Sequence, residues 1–300
     1  MKSIIDNRMI SCVIPTYKRC DSLGRAIDSV LAQTYDNLEV LVVDDNERGS
    51  QESQAVKDLL ANYTDPRVKY VEQEKHINGA EARNAGVRAS KGEYIAFLDD
   101  DDEWLPEKLE KQMNFLSTHP EVDGVSCLYN EYSKGVLFHS CPPYTCDNIH
   151  KKIFQRDVAV FTSTVLLNKE KLLKAGLFDN SLRRHQDLQL LLDFTKENKF
   201  DVLPEYLVKL HSDSDINRPS FDKLVNIKEM FFNSVSEQFA LYSPREQREI
   251  KAAHYFELAF AALKEKKYGV FLKYIAKVGF NFKAYKNVIN RFKGRKYINS

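Results

Sequence analysis

The sequence predicts an α/β protein with a mostly parallel central sheet flanked by helices, followed by a helical C-terminal extension. Three observations point there. Short apolar runs alternate with amphipathic helical stretches through the first part of the chain, aspartates cluster directly after two of those runs, and the pattern beyond the polar stretch His211 to Ser220 is helical only. Ile10 to Ile14 reads as a strand, Asp21 to Gln33 as a helix and Leu38 to Val43 as a second strand. A helix near Gln51 to Asn62, a strand at Val68 to Glu72, a helix at Ala80 to Ala89 and a strand at Glu93 to Leu98 continue the alternation. Leu105-Pro106-Glu107-Lys108-Leu109 opens an amphipathic helix that runs to about Thr118, with Pro106 in its first turn and Pro120 closing it. From Glu121 to Leu167 the apolar segments shorten around Pro142 and Pro143, which predicts loops and short mixed strands. A helix at Asp187 to Lys196 and a strand at Asp201 to Leu210 follow. The expected division is 1–218, with halves 1–120 and 121–218, and then 219–300.

Composition narrows the class. With 43% hydrophobic and 29% charged residues in 300, the chain has the makings of an ordinary folded protein, neither disordered nor embedded in a membrane. The formal net charge of +1 hides a split: residues 251–300 hold twelve Lys and Arg against two Glu, so the body is acidic and the tail basic. Such a tail suits an anionic partner such as phospholipid headgroups; no nucleic-acid-reading module accompanies it, so nucleic acid is not expected. The five cysteines are odd in number and contain no CxxC pair, which supports neither a disulfide framework nor a zinc site and fits a reducing compartment. Met1 to Arg8 carries charges where a signal peptide needs an apolar stretch, and no segment approaches the roughly 20 apolar residues of a spanning helix. The expectation is a cytoplasmic protein.

The chemistry starts with Asp99-Asp100-Asp101-Asp102, which follows directly on the apolar run Tyr94 to Leu98. Carboxyl ends of strands are where open α/β sheets bind ligands. Adjacent carboxylates repel one another, and oxygen-only ligands suit Mg²⁺ or Mn²⁺ held together with substrate phosphates. A cation there stabilises a departing diphosphate. A second pair, Asp44-Asp45, ends the Leu38 to Val43 strand and is expected at the same edge, able to accept from a base N–H or a ribose hydroxyl. Neither GxGxxG nor GxxxxGK[ST] occurs at a strand-to-helix junction, which disfavours dinucleotide oxidoreductases and P-loop NTPases.

Five blocks in order carry a resemblance: Val13-Ile14-Pro15-Thr16-Tyr17-Lys18-Arg19, Ser29 to Tyr35, Glu39 to Asp45, Ala82-Arg83-Asn84-Ala85-Gly86, and Phe97 to Asp102. Together they resemble family-2 glycosyltransferases of the GT-A fold, strongly over the first 120 residues and more weakly to about Ser220. The resemblance implies a nucleotide-sugar-binding half followed by an acceptor-side half. It places Pro15, Thr16 and Asp45 on the uracil or ribose side of a UDP-sugar, with Arg83 near the nucleotide. It makes the aspartate run a DxD motif in which Asp99 and Asp101 hold Mn²⁺ or Mg²⁺, Asp101 most directly, with Asp100 close to the ribose. Thr16 as a helix cap and Arg83 in a surface ion pair are the plainer alternatives.

Further on, Gly176 to Asp179 and Arg183 to Leu188 resemble the family segment that ends in the catalytic base, which makes Asp187 the base of an inverting, single-displacement transfer. Asp187 also suits a helix cap, and the two roles are compatible. Gln186 stands where the family commonly has Glu, so the chain lacks the neighbouring carboxylate that would raise the pKa of Asp187 by repulsion. His185 is then a neighbour of the acceptor, and His211 sits where relatives often carry a His near the metal or diphosphate, or is an ordinary surface residue.

From Tyr268 the residues Phe271, Leu272, Ile275 and Val278 recur at helical spacing with Lys273 and Lys277 opposite, and Phe282, Tyr285, Ile289 and Phe292 extend the pattern among Lys283, Lys286, Arg291, Lys293, Arg295 and Lys296. Such a face either lies peripherally on an anionic membrane or packs on the catalytic domain. The expected function is transfer of a hexose or N-acetylhexosamine from a UDP-sugar to a glycan or lipid-linked glycan in bacterial capsule, O-antigen or lipooligosaccharide synthesis. Two rivals are a catalytically silent GT-A-like scaffold held at membranes by its tail, and a metal-dependent nucleotidyltransferase.

Overall fold

The computed structural model describes residues 7–212, 219–279 and Tyr285. Its strands, β1 (Ile10–Thr16), β2 (Leu38–Asp44), β3 (Val68–Glu72), β4 (Tyr94–Phe97), β5 (Glu103–Trp104), β6 (Gly124–Ser133), β7 (Val136–Ser140), β8 (Leu166–Asn168) and β9 (Phe200–His211), form one sheet. The order is β3-β2-β1-β4-β8-β6-β9-β5, with β7 paired to β6. The β3-β2-β1-β4 half is wholly parallel, as the alternating strand and helix pattern implies. The other half is mixed, because β8 runs antiparallel to both β4 and β6 while β9 returns parallel to β6.

Alternation along β1 explains how the sheet buries both faces. Ile10, Cys12 and Ile14 join Leu23, Ala26, Ile27 and Val30 of α1 (Cys20–Leu31) and Val56 of α2 (Gln51–Leu60) in one core, together with Leu109, Met113 and Leu116 of α4 (Lys108–Thr118). Val13 faces the other way, onto Ala82 and Val87 of α3 (Gly79–Ala89). The same second core takes Ile153 and Phe154 of α5 (Ile149–Phe154), Leu172 of α6 (Lys169–Ala175) and Leu188, Leu190, Leu191, Leu192 and Phe194 of α7 (Gln186–Glu197).

Gly86 shows how closely α3 sits on the sheet. A methyl group there would lie 2.3 Å from Val13 Cγ1 and 3.1 Å from Val43 Cγ2. Gly86→Val is therefore expected to cost about 3 kcal/mol through overpacking, read as a lower urea midpoint with an unchanged slope; an unchanged midpoint would show that the helix yields freely.

Among the described residues from 219 to 279 the chain is helical, as expected: α8 (Phe221–Ser234), α9 (Ser236–Ala240), α10 (Pro244–Lys264) and α11 (Tyr268–Val278). Ser243 caps α10 and exchanges hydrogen bonds with Glu246 in a capping box, with Pro244 at the helix start. Phe231, Val235 and Ile250 pack into the second core beside α5 and α7, so these helices share apolar burial with the α/β body. Phe271 and Tyr274 of α11 pack against Phe221, Leu258 and Ala262. The expected boundary at residue 218 and the basic residues from Lys283 to Lys296 lie outside the described residues.

Two expectations are corrected. The Glu121 to Leu167 stretch is not built of short strands alone, because β6 runs for ten residues; it keeps Tyr129 and Glu131 buried through partners distant in sequence. Pro106 precedes α4 instead of occupying its first turn: it stands in a tight turn that the Lys108 N–H closes onto the Leu105 carbonyl, while its own carbonyl accepts from the Thr34 N–H.

Candidate functional site

The parallel register brings the carboxyl ends of β1, β2 and β4 level, because Thr16 is paired with Asp44 and Val13 with Phe97. The chain leaving each strand contributes to one cleft of about 330 Å³, lined by Pro15, Thr16, Tyr17, Arg19, Asp45, His76, Gly79, Ala82, Arg83 and Asp99 to Asp101. Pro15, Thr16, Asp45, Arg83, Asp99, Asp100 and Asp101, all expected from the sequence, are thus brought together. Tyr17, Arg19 and His76 were not singled out individually; Tyr17 and Arg19 lie within a quoted block, whereas His76 carries no local signal.

The two acidic clusters divide their labour residue by residue. Asp44 is a strut: its Oδ1 accepts from the Asn46 N–H at 3.0 Å and its Oδ2 from the Tyr70 hydroxyl at 2.8 Å. Asp45 faces the cleft, accepting from the Ile77 N–H at 3.2 Å and from His76 Nδ1 at 2.8 Å, and burial raises its pKa. In the second cluster Asp99 pairs with Arg83, and Asp100 accepts from the Thr16 hydroxyl at 2.9 Å. Asp101 pairs with Arg19, which also stands 3.6 Å from Asp100. Asp102 turns inward, accepting from the Ser163 hydroxyl at 2.5 Å and the His211 main-chain N–H at 3.2 Å.

The repulsion among four carboxylates is therefore met in part by two guanidinium groups and two hydroxyls, not by a cation alone. Burial still pushes Asp100 up to about 7 and raises Asp101, with Asp99 adding to the latter by repulsion. Asp102, the most enclosed, is raised well above the ordinary carboxylate range by burial and then by Asp99 and Asp101. Thr16 is not a helix cap, since α1 begins after Arg19, and Arg83 is not on the surface, its side chain being 14% exposed.

A cation is tested by this donor set. Among the described residues no three His, Cys, Asp or Glu side chains are placed to hold a metal, so Asp99, Asp101 and His211 do not form a closed protein site. His211 supplies its main-chain N–H to Asp102, and its ring lies 3.7 Å from Glu103, outside the cleft lining, because β9 pairs with β5 there. Asp99 and Asp101, each about one third exposed, would hold a hard cation only with further oxygen ligands such as those of a bound phosphate.

Asp187 lies in the first turn of α7, after His185 in a left-handed conformation. It does not line the cleft, yet it feels the attraction of Arg83 and the repulsion of Asp99. Burial raises its pKa, with Arg156 the strongest opposing influence. The missing Glu at position 186 therefore does not leave Asp187 ordinary, as the sequence implied; enclosure does what a neighbouring carboxylate would have done. His185 packs edge-on against Phe231 at 5.5 Å, and burial drives its pKa well below the usual histidine value.

The sheet order and the acid-lined cleft at the strand ends define a GT-A fold. Staphylococcus aureus TarS 1–349 in complex with UDP-GlcNAc has the same architecture, with a TM-score of 0.59 and 15% identity over 96% of this chain and 93% of that one. So does the mannosyltransferase PcManGT from Pyrobaculum calidifontis in complex with GDP-Man and Mn²⁺, with a TM-score of 0.59 and 16% identity over 94% and 86%. The chain belongs to glycosyltransferase family 2, whose model, Glycosyl transferase family 2, matches residues 11–174. It is 28% identical over 211 residues to the amylovoran biosynthesis glycosyltransferase AmsB of Erwinia amylovora, covering 67% of this chain and 69% of AmsB. The chain matches 71% of the length of glycosyltransferase MJ1057 of Methanocaldococcus jannaschii and 30% of that of a Rickettsia bellii glycosyltransferase.

Proposed function

We propose that this glycosyltransferase moves a sugar, with inversion, from a UDP-sugar to a hydroxyl of a glycan or lipid-linked glycan in the assembly of a bacterial surface polysaccharide. The observation that supports this reading is the convergence of Thr16, Asp45, Arg83 and Asp99 to Asp101 on one cleft, with Asp187 in electrostatic reach of Arg83 and Asp99. Complexes of the structural neighbours with nucleotide sugars, and AmsB's part in amylovoran biosynthesis, point the same way.

In this mechanism Asp45 and Thr16 hold the base and ribose, and Asp100 lies beside the ribose. Arg19 and Arg83 turn from the carboxylates to the diphosphate, where a guanidinium matches phosphate oxygens in pairs. Arg83 has a buried Nε–H without a partner, which such a turn would satisfy. Asp101 and Asp99 would hold Mn²⁺ or Mg²⁺, which when bound supplies Lewis-acid stabilisation of the leaving diphosphate. The acceptor oxygen forms its bond to the anomeric carbon on the face opposite the diphosphate. The bond from that carbon to the phosphate oxygen breaks, its electron pair leaves with UDP, and Asp187 takes the acceptor's proton. A screen of UDP-sugars for Mn²⁺-dependent release of UDP tests the reading; release of pyrophosphate would mean a nucleotidyltransferase, and no turnover of any nucleotide sugar would support a silent scaffold.

A base must be ionised, so the rate should fall as pH drops through the pKa of Asp187. Because burial raises that pKa, the acid limb should lie above that of an exposed aspartate. Arg156→Gln removes the strongest attraction holding the pKa down and should move the acid limb to higher pH. A pH profile of kcat/KM checks both signs, and an unmoved limb would remove Asp187 from the role of base.

The tail supports a membrane contact. On α11 Tyr268 and Leu272 are 61% and 63% exposed, with Lys273 and Lys277 exposed beside them, while Phe271 and Tyr274 pack inward. We place the enzyme on the cytoplasmic leaflet by this face; no described helix is long and apolar enough to cross a membrane. Vesicles rich in anionic lipid should retain the protein at low salt and release it at high salt. Failure to retain it at low salt would leave α11 a packing element only.

A further inference from the structure

We propose that His76 occupies the place of the donor's nucleobase, so that the base enters by displacing this imidazole from Tyr17 and Asp45. The inference rests on reading the cleft as a nucleotide-sugar site and concerns how that site is filled before the donor arrives.

The imidazole makes both contacts that a base in this position would make. It stacks on the Tyr17 ring with centroids 3.8 Å apart and an interplanar angle of 17°. It also donates a ring N–H to the Asp45 carboxylate, Nδ1 lying 2.8 Å from Oδ2. Uracil offers the same pair of features, a flat face and an N–H at its edge.

Asp45 is held more deeply than the imidazole it binds. Asp45 is held by its own N–H, which donates to the Thr16 carbonyl at 2.9 Å, and by the Ile77 N–H, and its side chain is only 2% exposed. His76 lies between β3 and α3 in a stretch without helix or strand, and its side chain is 35% exposed. Swinging the ring toward solvent breaks no regular structure. It leaves Tyr17, which is 37% exposed, and the Oδ2 of Asp45 free for a planar ligand in the same cleft.

A site blocked in most molecules binds more weakly in proportion to the fraction that stands open. His76→Ala should therefore bind UDP with Mn²⁺ about tenfold more tightly than the parent. Pyrophosphate with Mn²⁺ has no base and should bind the two proteins alike. Calorimetric titration of both ligands, with melting curves to confirm that the variant is folded, tests the proposal. His76→Asn, which can still donate to Asp45 but cannot stack, should fall between the two and serves if the alanine variant does not fold. UDP binding that is equal or weaker in the folded variants overturns the displacement and makes His76 a wall of the site. Failure of the parent itself to bind any nucleotide overturns the reading of the cleft and this proposal with it.

Discussion

Asp187→Asn is expected to lower kcat by about 10²–10⁴-fold, the usual contribution of a positioned general base, while leaving affinity for UDP and Mn²⁺ unchanged. Asparagine keeps the shape of the side chain and its place in the first turn of α7, but it cannot accept a proton at neutral pH. Arg156 keeps Glu257 as a partner at 3.2 Å, so the substitution does not leave that cation stranded. Initial rates of UDP release with acceptor, set beside calorimetry with UDP, separate chemistry from binding. A variant that transfers at a rate close to the parent's would require another base.

Asp101→Asn should act on binding instead. The parent is expected to bind UDP far more tightly with Mn²⁺ than without it, and the variant should lose most of that difference, on the order of 100-fold. The reason lies in the charge balance at the mouth of the cleft. Asp101 is held by Arg19, and Arg25 donates to its carbonyl at 2.6 Å, so the main chain is fixed while the carboxylate stays at the surface. Losing that negative oxygen leaves Asp99 alone to share a cation with the diphosphate. It also leaves Arg19 with Asp100 alone, at 3.6 Å. Equal metal dependence in variant and parent would move the cation away from this residue.

Much of this was legible in the residues, and the exceptions have physical causes. The parallel half could be read because each strand is a short apolar run bounded by polar turns and followed by an amphipathic stretch. In β6 the run Cys127-Leu128-Tyr129-Asn130-Glu131 mixes apolar and polar residues, and the strand paired along the whole of it, β9, lies far along the chain. Local periodicity carries no trace of such pairings. The positions of the acids were legible, but their directions were not. Nothing in four consecutive aspartates says that Asp102 turns to Ser163 while Asp101 meets Arg19. Nor does Gln186 foretell that enclosure raises Asp187. His76 escaped for a related reason: its meaning comes from two loops, after β1 and after β3, that meet only in the folded chain.

The most direct test is diffraction from crystals soaked with UDP and Mn²⁺, collected for anomalous scattering from manganese. The account predicts one manganese peak bonded to Asp101 or Asp99 and to the diphosphate, at about 2.2 Å from each oxygen, as hard oxygen-ligated cations adopt. UDP bound in the cleft with no manganese beside these carboxylates, or manganese bound elsewhere, would contradict it.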